Sequence, residues 1–92
     1  MLFLLDKAEA GALRVVPFLA GDADKELLLI GDGVYLAREA MASKLAEWNF
    51  DGIHAEAKAL AERGIEPGGH CEATEMSDIV DLVLEHGKIL SL

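Results

Sequence analysis

The sequence predicts an α/β domain: a small three-layer α/β/α sandwich with a mainly parallel sheet of four to five strands. Three observations predict it. Leu27-Leu28-Leu29-Ile30 are four consecutive large aliphatics, with none of the in/out alternation of a half-exposed strand, so they read as a strand covered on both faces. Gly31-Asp32-Gly33 breaks that strand, and apolar residues of helical spacing follow from Val34, giving a strand, turn and helix unit. Short apolar runs and helical patterns then alternate to the end of the chain, the signature of a sheet with helices on both faces and right-handed crossovers.

Met1 to Leu5 is a continuous apolar run of strand length, ended by Asp6. Leu13, Val16 and Leu19 predict a first helix within Ala8 to Ala20; Pro17 would cost about 3 kcal/mol in its interior, so the helix is kinked or begins late. After the central strand, Val34, Ala37, Met41, Leu45 and Trp48 step by three or four residues and predict one amphipathic helix, capped by Asp32. Ile53-His54-Ala55 suits a third strand. Ala57 to Arg63 reads as a short helix with Gly64 in the left-handed C′ position. Pro67-Gly68-Gly69 turns the chain into a fourth strand at His70 to Ala73, and Thr74 or Ser77 caps a last helix that ends at Gly87. Ile89-Leu90 supplies the fifth strand.

The 92 residues make a single domain, 1–92, and a domain of this size buries only about 60 to 65 per cent of its unfolded surface. Yet 52% of the residues are hydrophobic and the mean hydropathy is +0.27. That is more than one small core hides, and it predicts a subunit interface. No apolar run approaches the roughly 20 residues of a membrane span, and Met1 to Leu5 is too short for the apolar part of a signal peptide, so no membrane association and a cytoplasmic location are expected. With 17 acidic against 8 basic residues the net charge is −9, and no basic stripe could follow a phosphate backbone, which argues against direct nucleic-acid binding.

Leu28-Leu29-Ile30-Gly31-Asp32-Gly33-Val34-Tyr35, Ile53-His54-Ala55 with Ala61-Glu62-Arg63-Gly64-Ile65, and Ser77-Asp78-Ile79-Val80-Asp81-Leu82-Val83-Leu84-Glu85-His86-Gly87-Lys88 together resemble the DsrH/TusB family of sulfur-relay subunits. The resemblance spans nearly the whole chain. It implies a DsrE/DsrF/DsrH-like fold and a hetero-oligomer with DsrE-like and DsrF-like protein subunits, or a homo-oligomer in isolation. It also implies a non-catalytic structural role in persulfide transfer, leaning toward 2-thiolation of tRNA wobble uridine rather than sulfur oxidation. In the sulfur-oxidising branch the DsrH-like cysteine lies near the end of the first helix; Gly21 to Glu26 holds none here. No cofactor is expected.

The lone cysteine, Cys71, is the one candidate catalytic residue: as a thiolate it would accept and pass on a persulfide. Burial in the core is the competing expectation. A zinc site at His70-Cys71-Glu72 is not expected, because strand neighbours point to opposite faces and no second cluster supplies ligands. Gly31, Asp32, Gly33 and Tyr35 lie at a strand's carboxyl end, where α/β domains bind ligands; they are candidates for a ligand or interface turn. Leu36 replaces the third glycine of a dinucleotide fingerprint and Asp32 would repel an anion. Asp6 and Asp32 are reminiscent of response-regulator receivers, but Asp51 precedes the third strand instead of following it. Trp48 is expected on the sheet, and His54 as a satisfied, half-buried side chain.

Overall fold

The computed structural model describes all residues, Met1–Leu92. Five strands form one sheet: β1 (Leu2–Leu5), β2 (Glu26–Leu29), β3 (Gly52–Glu56), β4 (Glu72–Thr74) and β5 (Ile89–Ser91). Their order is β4-β3-β2-β1-β5 and every pairing is parallel. The doubly covered central strand is borne out: Leu27, Leu28 and Leu29 are fully enclosed, Leu28 lying between Leu4 and His54 in register, while Ile30 falls just beyond the strand and is half-buried.

Alternation along the strands separates two cores. Phe3, Leu5, Leu27, Leu29 and Ala55 face α1 (Val16–Ala20), α2 (Ala42–Ala46) and α3 (Ala57–Arg63), and the cluster they build takes in Leu13, Val16, Leu36, Leu45 and Leu60. Leu2 and Leu28 on the opposite face form a smaller cluster with Ile79 and Leu82 of α4 (Met76–His86), with Leu4, Ile30 and Val83 packed at its edge. The steps β1 to β4 march one way across the sheet with helices on one face. The return to β5 crosses back on the other, as right-handed connections require. One face is therefore thickly covered, and the other carries a single helix.

Pro17 is accommodated by the late start. Ala10–Val15 winds as a tight 3₁₀ segment, and Pro17 falls in the first turn of α1, where no hydrogen bond is lost. The expected continuous helix from Val34 to Trp48 does not form. Gly31–Ala37 is 3₁₀, Arg38 is extended (ψ 146°), Glu39–Met41 is again 3₁₀, and only Ala42–Ala46 is α-helical. The break has a cause in another loop: Gly68 N–H donates to the Ala37 carbonyl at 2.8 Å and Gly69 N–H to Glu39 Oε2 at 3.0 Å. The first takes the backbone acceptor that a continuous helix would have claimed, and the second holds the Glu39 side chain against the same loop.

The later elements follow expectation more closely. α3 spans Ala57–Arg63 and Gly64 takes the left-handed cap (φ 63°, ψ 33°). Neither Thr74 nor Ser77 caps α4; its N-cap is Glu75 without a side-chain bond. The fourth strand begins later than expected, at Glu72, because Cys71 N–H closes a turn onto the Gly68 carbonyl. No helix is long and apolar enough to cross a membrane.

Candidate functional site

The glycine turn after β2 is tied down on every side. Gly31 has φ +50° and donates its N–H to Glu56 Oε1 at 3.3 Å, linking the ends of β2 and β3. Gly33 is buried and sits against the last residue of β1: a Cβ there would lie 2.2 Å from the Leu5 carbonyl oxygen. Asp32 does not cap a helix. Its Oδ1 accepts from Arg63 Nε at 3.2 Å and from Arg63 Nη2 at 2.9 Å, because the end of α3 presents the guanidinium to the turn. The same guanidinium and that of Arg38 lie 6.0 and 5.6 Å from the centroid of the Tyr35 ring, within cation–π range. The four turn residues are thus brought together, but each is engaged by the surrounding structure, by Glu56, Leu5, Arg63 and Arg38. Neither of the two cavities in the molecule touches them. The strand order reverses between β1 and β5, whereas this turn follows β2. In open sheets the ligand crevice belongs to the reversal point, so the turn lies one strand away from it.

Cys71 is far from a thiolate environment. Its side chain packs partly against the larger core. Burial, with a smaller contribution from the Glu39 carboxylate, pushes its thiol up to about 12 from 9.0. The neighbouring His70 does not help: its Nε2–H is spent on the Leu36 carbonyl at 3.1 Å, and its Nδ1 is buried without a partner. A thiol raised this far is almost wholly protonated at neutral pH. The folded protein at pH 7.5 is therefore expected to resist iodoacetamide for hours, and the same protein in guanidinium to react within minutes. Equal rates in both states, followed by mass spectrometry, would contradict this account of the thiol.

The most connected polar cluster lies elsewhere. Glu26, the first residue of β2, reaches across the face covered by α4 and holds two imidazoles: Oε1 is 2.8 Å from His54 Nε2 of β3, and Oε2 is 2.5 Å from His86 Nε2 at the end of α4. Both histidine side chains are 15% exposed and the carboxylate 26%. The carboxyl is held below its ordinary 4.5, first by the His54 hydrogen bond and then by His86, against the opposing effect of burial. An ionised carboxylate only accepts, so both rings carry their proton on Nε2. Room for the cluster comes from Gly52, the register partner of Glu26, where a Cβ would fall 2.8 Å from Glu26 Oε1 and 3.3 Å from His54 Nε2.

His54 also borders a cavity of about 210 Å³ between β3, β4 and α4, otherwise lined by Glu72, Thr74, Asp78, Asp81 and Glu85 among others. A second, of about 300 Å³, lies beside α2 and β3 between Leu45, Phe50, Ile53 and His70. No group of three or more His, Cys, Asp or Glu side chains is arranged to hold a metal ion. What Glu26 does chemically is mechanical: it fastens the last turn of α4 to two strands. Sequence reasoning read His54 correctly as satisfied but missed its partner. The available signal was a single carboxylate at the head of an otherwise aliphatic strand. No protein-family model matches the chain, and no curated protein matches it.

Proposed function

We propose that this chain is a DsrH/TusB-like subunit of a sulfur-relay complex that contributes binding surface rather than chemistry. The observation that carries the reading is apolar exposure on two sides of an acidic domain. Val15, Phe18 and Leu19 around α1, and Met76, Val80 and Leu84 on α4, are all exposed, Phe18 to 89%. Patches of this kind on a folded domain mark contacts with other proteins. The second support is the state of Cys71, whose raised pKa and partial burial work against a persulfide-carrying role.

The all-parallel five-stranded sheet is compatible with the DsrE/DsrF/DsrH-like fold, and the sequence resemblance described above supplies the candidate partners: DsrE-like subunits that bear the reactive cysteine, and DsrF-like subunits. Within that family the absence of a cysteine in Gly21 to Glu26 favours wobble-uridine 2-thiolation over sulfur oxidation. The test is reconstitution with DsrE-like and DsrF-like subunits. The chain is expected to co-elute with them and to be required for persulfide transfer, and Cys71→Ser is expected to leave the transfer rate within about twofold. Loss of transfer by Cys71→Ser with assembly intact would make this chain a carrier. Failure to co-elute would remove the reading altogether.

A further inference from the structure

At 3.6 residues per turn α4 displays three rows of side chains. Ile79, Leu82 and His86 face the sheet, the first two packed with Leu2 and Leu28 and the third bonded to Glu26. Asp78, Asp81 and Glu85 form an acidic row along the cavity beside Thr74. The third row, Met76, Val80 and Leu84 at i, i+4 and i+8, is 57, 48 and 74% exposed. The outward row of a surface helix is ordinarily polar. Here it is apolar, on the sheet face that carries only one helix.

We propose that the outer side of α4 is a docking site for an amphipathic helix of another protein, one whose apolar row is bordered by lysine or arginine. This rests on reading the chain as a subunit of an assembly, and it names the chemistry of one contact. The i, i+4 ridge is the feature that a second helix packs against. The charge selects the occupant. α4 contains no lysine or arginine, its one basic side chain is engaged by Glu26, and the chain carries −9. A second copy would bring another acidic row to the same contact with no cation to meet it, whereas a basic-flanked helix neutralises the row and gains encounter rate.

Two synthetic helical peptides of roughly 18 residues, five turns, with the same leucine row but either lysine or glutamate flanks, provide the probe. Titrated into isotope-labelled protein at low salt, the lysine-flanked peptide is expected to shift the methyl resonances of Met76, Val80 and Leu84. Binding should weaken with added salt, and at least tenfold in V80E/L84E, whose melting temperature should stay near the parent's because both sites are exposed. Equal binding of the glutamate-flanked peptide, no binding of either, insensitivity to V80E/L84E, or a dimer of the lone chain that V80E/L84E disperses would each overturn the proposal. Lysine-peptide binding at α4 without co-elution of DsrE-like and DsrF-like subunits would leave this docking face standing and remove the sulfur-relay reading. Co-elution that survives V80E/L84E would do the reverse.

Discussion

Gly33→Ala is expected to lower the melting temperature by about 15 °C or more, on the order of 3 kcal/mol for a domain this small. The added Cβ would stand 2.2 Å from the Leu5 oxygen and 3.0 Å from the Leu5 carbonyl carbon. Both are backbone atoms at the end of a strand paired on both sides, to β2 and β5. No rotamer change relieves such a clash, so either the turn or β1 must shift. The Gly33 N–H bond to the Ile30 carbonyl, 2.8 Å, fixes the turn from the other side. Gly11→Ala is the matched control, since nothing lies within 4 Å of its would-be Cβ; within a helical segment it should be neutral or slightly stabilising. Thermal melts followed by circular dichroism decide the matter. A Gly33→Ala protein melting within about 3 °C of the parent would mean that the turn is free to move.

The second large effect is expected at the carboxylate that joins β2, β3 and α4. Glu26→Ala removes the acceptor from two mostly buried imidazole N–H groups at once, a loss of about 2 to 4 kcal/mol at neutral pH. Its pH dependence follows from the direction of the shift. Because the folded pKa of Glu26 lies below the ordinary 4.5, its contribution is fully present above that value and disappears as pH falls through the folded pKa. Denaturant titrations should thus find a gap between parent and Glu26→Ala that narrows as pH falls below 4.5. Glu26→Gln, which keeps one accepting oxygen, should fall between the two. A gap that widens as pH falls below 4.5 would contradict the assignment of Glu26 as the anion of the cluster. Since His86 ends α4, the loss should also appear as faster amide exchange in that helix before the rest of the sheet opens.

The two positions differ in how far the sequence announced them. Gly31-Asp32-Gly33 was recognisable as a turn because glycine is what a chain uses to leave a buried strand. That Gly33 is needed for closeness to β1, and not for φ, depends on where β1 ends relative to it. Asp32 looked like a cap because it opens an apolar pattern of helical spacing. It pairs with Arg63 instead, 31 residues on. Likewise the spacing of Val34, Ala37 and Leu45 correctly marked three enclosed side chains, yet the backbone between them is broken at Arg38, where the Gly68 N–H takes the Ala37 carbonyl. Periodicity records which side chains face the core, and a chain of 3₁₀ turns can satisfy nearly the same list as one helix.

Local chemistry left Pro17 as either a kink or a late start, but it alone determined the approximate places of the strands, the span of α3 with Gly64 behind it, and the enclosure of Leu27, Leu28 and Leu29. Each rests on neighbours within a few residues, where steric preference and apolar spacing act directly. The Glu26–His54–His86 bridge, the protonated state of Cys71 and the one-helix cover over Leu2 and Leu28 were decided only when the strands had taken their order. Residues 28 and 60 positions apart meet through register and crossover, and burial that raises a thiol's pKa is a property of everything packed around it. Such quantities are sums over the folded surroundings, and no stretch of the chain contains them in advance.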